Sequence, residues 1–251
     1  MTHTDTESPR RTRGALVLAG SGEFLPVMVP VDREVLRHTP GRPPKVAILP
    51  TAAGLEDVTS WITMGVAHFQ ALGCEAHGVR ALDRAGVEDP EHIAALERAH
   101  LHYLSGGSPG YLVETLRDST AWRTIVGVWE RGGTLAGSSA GAMAFGEWTL
   151  VRPPGASRGM PFSWSAGLGL MPGIGVIPHY DRFGPARTTV QVAEAPPGLV
   201  VLGIDEDTVM LRADREAARV LGRGTVTVWR DGHPTTFASG DIIPSELVRL
   251  P

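Results

Sequence analysis

A doubly wound α/β sheet, mostly parallel and carrying a C-terminal antiparallel β extension, is the fold class this 251-residue sequence predicts. Three observations predict it. Short, almost uninterrupted apolar runs, Ala15-Leu16-Val17-Leu18-Ala19 and Lys45-Val46-Ala47-Ile48-Leu49, suit strands covered on both faces, the condition inside a parallel sheet. Segments of helical spacing alternate with those runs, as crossover helices must. After residue 199 the helical spacing gives way to short β-rich segments broken by Asp, Gly and Pro, which read as antiparallel strands.

The elements follow in chain order. The first run ends in Gly20-Ser21-Gly22, and the second meets Pro50 and Gly54, so each strand stops at a turn. Val58, Trp61, Ile62, Phe69 and Leu72 recur at spacings that line one helix face. Leu101 to Leu104 is a third strand, ending in Ser105-Gly106-Gly107. Trp122, Ile125, Val126 and Trp129 mark another helix, with Ser119 as its cap and Gly132 as its stop. Gly133 to Ala136 is a strand and Ala140 to Phe145 a small-residue helix start. Residues 153–175 are rich in Gly, Pro and Ser and include Met160, Phe162 and Trp164; they read as a long loop, either a substrate wall or a connection covering the core. Leu199 to Ile204, Thr208 to Leu211, Thr225 to Trp229 and Thr235 to Ala238 form the extension on the sheet edge, with Asp231-Gly232 as a hairpin turn.

Composition narrows the function classes. With 42% hydrophobic and 20% charged residues the chain is of ordinary globular type, expected as one domain over residues 14–251 behind a loose tail at residues 1–13. A net charge of −4 without a basic stripe argues against nucleic acid and anionic membranes as partners. Cys74 is the single cysteine, which rules out an intrachain disulfide and points to a reducing compartment; it reads as a small buried side chain. No run reaches the length of a membrane span and the tail lacks the apolar core of a signal peptide, so a cytoplasmic location is expected. Open sheet edges leave room for a homodimer.

Chemistry concentrates at Gly137-Ser138-Ser139-Ala140-Gly141-Ala142. Glycines flanking Ser139 between a strand and a helix are what a nucleophile elbow requires, since a tight turn there tolerates no bulky Cβ. The amide of Ala140 and the helix dipole behind it suit a developing oxyanion. A serine hydroxyl also needs a base and a group to orient that base. Of the nine histidines, His3 lies in the tail, and His38, His68, His77, His92, His100 and His102 precede the elbow, mostly on or beside predicted helices where a solvated role is expected. Downstream, His179 follows the run Ile174 to Pro178 at a strand end, whereas His233 sits in a turn. Asp205-Glu206-Asp207 follows an apolar strand and supplies the orienting carboxylate. Neighbouring side chains on an extended segment point apart, which argues against one metal ion held by all three. The residues alone also allow the order Ser139, Asp207, His233.

Four segments, with the acidic one, carry a resemblance to a known family: Ala19-Gly20-Ser21-Gly22-Glu23, Ser105-Gly106-Gly107-Ser108, the elbow, and Gly167 to Pro172 leading to Pro178-His179-Tyr180. In that order they resemble the serine peptidases that include aspartyl dipeptidase (peptidase E) and cyanophycinase, whose fold is related to class I glutamine amidotransferases. The resemblance implies a flavodoxin-like sheet and a triad of Ser139, His179 and Glu206, with an oxyanion hole formed by Gly107 and Ala140. It implies a small peptide substrate containing Asp, or a cyanophycin-like one, cleaved at a peptide or isopeptide bond through an acyl-enzyme without metal or cofactor. Ser108, Arg182 and Arg187 are the candidate substrate contacts. Pro109 and Pro178 depart from the family pattern, in which polar residues are usual near the glycine pair and a Gln precedes the histidine of cyanophycinases. An esterase or amidase with the same triad, or a binding module without catalysis, are the alternatives. A glutamine amidotransferase proper would need cysteine at position 139.

Overall fold

The computed structural model describes residues 13–152, 162–183, 185–213 and 217–251. The predicted tail, except Arg13, and Met160 of the predicted loop lie outside the described residues. Among those described, the first half alternates as expected: β1 (Leu16–Ala19), α1 (Val29–Arg37), β2 (Lys45–Leu49), α2 (Thr59–Ala71), β3 (Glu75–Gly78), α3 (Pro90–Arg98), β4 (Leu101–Leu104), α4 (Pro109–Leu116), α5 (Thr120–Glu130), β5 (Thr134–Ser138) and α6 (Ala140–Ala144). Then come β6 (Gly146–Val151), β7 (Ser163–Ala166), β8 (Met171–Ile177), α7 (Pro185–Ala193), β9 (Val200–Ile204), β10 (Thr208–Arg212), β11 (Ala218–Gly222), β12 (Thr225–Arg230), β13 (His233–Ala238) and β14 (Ile242–Ile243).

The strands form two sheets. The larger runs β14-β11-β10-β1-β5-β4-β2-β3, with β1, β5, β4, β2 and β3 parallel and β10, β11 and β14 antiparallel at one side. Leu16 and Leu18 enter one apolar cluster with α3, α4 and α5, while Val17 and Ala19 enter another with α1 and α2. This two-sided cover is why the runs are apolar at almost every position. Ser119 caps α5, its Oγ accepting from the Trp122 amide at 3.0 Å, as the sequence indicates. Cys74 is buried between α2 and β3, and burial raises its thiol pKa.

The second sheet, β13-β12-β9-β8-β6-β7, corrects two expectations. Residues 153–175 are not simply a long loop, because β7 and the start of β8 lie within them. Only the start of β8 is hidden from a propensity reading, and within the recognised part a Cβ on Gly175 would lie 2.5 Å from the Trp164 ring, so the glycine makes room for the indole. The β-rich C-terminal segments also do not form one appendage: β10, β11 and β14 extend the first sheet, and β9, β12 and β13 build the second. No helix among the described residues is long and apolar enough to cross a membrane.

Two upstream histidines are buried rather than solvated. His68 pairs with Asp32 at 2.8 Å, both 6% exposed. His102 on β4 is wholly buried and its Nε2–H donates to the Leu96 carbonyl at 2.9 Å, leaving Nδ1 unpartnered. Desolvation lowers the His102 pKa to about 4. An unfolded histidine titrates near 6.5, so between those values the unfolded chain binds the extra proton and stability falls as pH falls. The loss expected from about pH 6.5 to about 4 is about 3 kcal/mol. Thermal melts across that range should show it in the wild type. His102→Gln, which is neutral throughout and keeps a donor for Leu96, should lack this component.

Candidate active site

The site assembles at the carboxyl ends of the parallel strands, where open α/β sheets bind ligands. Glu23 follows β1, Gly106-Gly107 follows β4 and Ser139 follows β5. The second sheet brings the remaining parts. Strands β8 and β9 are parallel with Ile177 opposite Gly203, so the residues just beyond each end, His179 and Glu206, emerge side by side. The chain then crosses into β10, which is antiparallel to β1 with Val209 opposite Ala19. The acidic turn is therefore the bridge between the two sheets.

Ser139 occupies a backbone conformation that L-residues avoid, φ 49° and ψ −112°. Such strain costs about 1–3 kcal/mol and persists only where surrounding packing imposes it. Here the packing is tight on both sides: a Cβ on Gly137 would lie 2.5 Å from Gly141, and one on Gly141 2.2 Å from the Leu104 carbonyl oxygen. The two flanking glycines are thus a requirement of close approach. Ser138, although adjacent, is fully buried and donates its hydroxyl to Glu23 at 2.7 Å. Ser139 points the other way, its Oγ 3.0 Å from His179 Nε2.

His179 lies in the left-handed region, φ 51°, at the end of β8. Its Nδ1–H donates to Glu206 Oε1 at 3.0 Å, which leaves Nε2 as the acceptor facing the serine. The next residue helps fix it: the Tyr180 ring lies over Gly203, where a Cβ would come within 2.3 Å, and its hydroxyl accepts from Trp229 Nε1 at 2.8 Å. Glu206 is held in turn by Arg182, whose Nε donates to Oε2 at 2.7 Å, while the Glu206 amide donates to Asp181 Oδ1 at 2.9 Å. The hydrogen bond from His179, reinforced by the bond and charge of Arg182 against partial desolvation, keeps the Glu206 carboxyl below its usual range.

The three acids diverge, although by a turn and not by the extended alternation the sequence suggests, with Asp207 at φ 54°. Asp205 accepts from the Thr225 amide and hydroxyl, both at 2.8 Å, and Asp207 turns toward Gly22 and Arg223. The alternative order through Asp207 and His233 is not assembled. His233 begins β13 opposite Arg230, at the end of β12 that lies beside Val201 and away from Glu206. The ring on Ser139 is that of His179.

The remaining candidates fall out unequally. Gly107, at φ 142° against the Ala52 carbonyl, donates its amide to no backbone carbonyl among the described residues. The Ala140 amide opens α6, where helix geometry leaves N–H groups free. Ser108 caps α4, its Oγ accepting from the Tyr111 amide at 3.3 Å. Arg182 is committed to Glu206. Arg187 belongs to α7, but its side chain lies outside the described part of the structure.

Sequence reasoning missed the role of Glu23. Its Oε1 accepts from the Gly106 amide at 3.0 Å while Oε2 accepts from Ser138, so one carboxylate ties the glycine pair to the elbow. A Cβ on Gly106 would stand 3.5 Å from Ser139 Cβ, which measures how closely that tie holds the two loops. Only the place of Glu23 after the first glycine turn hinted at it. Glu23→Leu removes the acceptor from both the Gly106 amide and the Ser138 hydroxyl, and displacement of the glycine pair follows. Because small misplacements near reacting atoms cost about 100-fold, steady-state assays should show kcat reduced about 10- to 100-fold with KM little changed.

A cavity of about 130 Å³ opens beside Ser139 and His179. Its walls are mainly apolar, from Pro109, Met143, Leu150, Phe162, Ile177 and Phe183. All of these but Pro109 belong to or pack against the apolar cluster that joins α6 to the second sheet. Among the described residues of the predicted loop, Phe162 is thus the one that lines the cavity.

The chain as a whole is similar to known proteins. A family model described as peptidase family S51 matches residues 16–220. The cyanophycinase of Synechococcus elongatus is 31% identical over 210 residues, 76% of this chain and 65% of that protein, so the match spans about two thirds of the relative's length. The crystal structure of a peptidase from an acI-B1 Actinobacterium superposes with a TM-score of 0.81 at 28% identity, covering 93% of this chain and 98% of that one. A putative peptidase E protein from Listeria monocytogenes has the same fold, with a TM-score of 0.61 at 19% identity over 87% of this chain and 98% of its own.

Proposed function

Because the chain belongs to peptidase family S51, we propose that it is a serine-type peptidase acting through an acyl-enzyme on Ser139. The observation that carries this reading is the continuous relay of hydrogen bonds from Ser139 through both ring nitrogens of His179 to Glu206. In this mechanism Oγ attacks the scissile carbonyl as His179 Nε2 takes the hydroxyl proton. The Gly107 and Ala140 amides receive the oxyanion. His179 returns the proton to the leaving amine, and the C–N bond breaks to give the ester of Ser139. Water then attacks that ester, with His179 as base, and releases the acid. Glu206 stays ionised throughout, holding the tautomer and stabilising the imidazolium.

The likeness to cyanophycinases favours a small Asp-containing peptide or a cyanophycin-like polymer, cut at a peptide or isopeptide bond. A forked contact to its carboxylate falls to Arg187 in this reading, since Arg182 is held by Glu206. Product release from Asp-X dipeptides, β-Asp-Arg and small esters tests the proposal. Cleavage of amide bonds by the wild type and not by Ser139→Ala is expected. Turnover confined to esters would make the chain an esterase, and peptide binding without turnover a binding module.

A further inference from the structure

Gln191 stands apart from the machinery above. It projects from α7 to line the cavity beside Ser139, is 5% exposed, and its Oε1 is buried with no hydrogen-bond partner among the described residues. The Trp164 indole donates to the Gln191 main-chain carbonyl at 2.9 Å, which pins the helix turn that carries the amide. A buried acceptor left unpaired is a standing cost to stability, and such costs gather where a ligand will supply the missing partner. Apart from His179, no titratable side chain among the described residues lines this cavity. A charged group entering it would give up hydration without gaining a counter-charge from the described residues that line it.

We propose that the side chain flanking the attacked carbonyl enters this cavity as an uncharged, largely apolar group whose hydrogen-bond donor is accepted by Gln191 Oε1. The assignment rests on the acyl-enzyme reading of Ser139. An acidic residue of the same substrate then stands away from the attacked carbonyl, outside the cavity, so an Asp-X dipeptide cut at its peptide bond is a poorer substrate than a peptide that carries Asp elsewhere. Pro109, Met143, Leu150, Phe162, Ile177 and Phe183 hold the body of the side chain, and Gln191 selects for a hydroxyl, indole or carboxamide on it.

Boronic acids, which add reversibly to catalytic serines, test this by protecting Ser139 from a fluorophosphonate. Those carrying benzyl, 4-hydroxybenzyl and carboxyethyl groups are compared on the full chain by intact mass. The benzyl and 4-hydroxybenzyl compounds should protect at concentrations at least about tenfold below the carboxyethyl compound, the factor expected for one unpaired charge or bond. Gln191→Leu should weaken protection by the 4-hydroxybenzyl compound about tenfold, leave the benzyl compound unaffected, and raise the melting temperature by removing the orphaned acceptor. The carboxyethyl compound protecting best in the wild type overturns the assignment, and its loss of protection in Arg187→Ala would name Arg187 as the cause. Equal effects of Gln191→Leu on both aryl compounds overturn the role of the amide. If that variant does not fold, the wild-type ranking still decides the cavity's preference. A wild type that takes no label withdraws the acyl-enzyme reading itself, whereas a labelled wild type that prefers the carboxylate overturns the cavity assignment alone.

Discussion

His179→Ala is expected to lower turnover on the order of 10⁶-fold, the scale found when one member of a serine triad is removed. The loss follows from geometry. With the imidazole gone, no base lies within hydrogen-bond reach of Ser139 Oγ, and Glu206 loses the ring that connects it to the serine. The residual rate comes from the Gly107 and Ala140 amides, which the substitution leaves in place. Folding should be little affected, since His179 is a partly exposed residue at a strand end. Single-turnover kinetics beside a thermal melt separate the two effects. A loss of only a few-fold would show that another group serves as base.

Glu206→Gln is expected to cost about 10⁴-fold in kcat, the size of effect produced when an orienting carboxylate becomes an amide. The glutamine presents either oxygen or nitrogen to His179. With nitrogen, Nδ1 becomes the acceptor and the proton moves to Nε2, where the ring can no longer take the serine proton. With oxygen, the tautomer survives but the negative charge that stabilises the imidazolium is gone. The variant also frees Arg182, because its Nε no longer meets a carboxylate. In the wild type the Glu206 pKa is depressed in the fold, so the stability this pair contributes is present above the unfolded glutamate pKa. It is lost as pH falls through the lower folded value. Thermal melts of the wild type across the glutamate range should show this component, and Glu206→Gln should lack it while its kcat stays low at every pH.

Much of this site is legible in the sequence because its demands are local. Gly137 and Gly141 have to be small for the backbone to close, so the elbow announces itself. His179 and Glu206 stand immediately beyond apolar runs, and runs of that kind end at the functional edge of a sheet. The choice of Glu206 over Asp205 and Asp207 required the fold, since the three differ only in where the turn between β9 and β10 aims them. Glu23 and Gln191 were not legible as site residues for another reason. Each acts across a distance in sequence, with Glu23 meeting Ser138 across 115 residues, and no periodicity records such a meeting. The start of β8 was obscured by Gly173, which lowers strand propensity, while Gly175 further along makes room for Trp164. The buried histidines His68 and His102 went unrecognised because their solvent exposure depends on the elements packed over them.

The central claim is that Ser139, activated by His179, is a nucleophile. Intact-mass analysis after exposure to a fluorophosphonate tests it most directly, comparing the wild type with Ser139→Ala, Ser138→Ala and His179→Ala. One adduct on the wild type and on Ser138→Ala, with none on Ser139→Ala and little on His179→Ala, is the predicted result. A folded wild type that takes no adduct, or an adduct that survives Ser139→Ala, would contradict it.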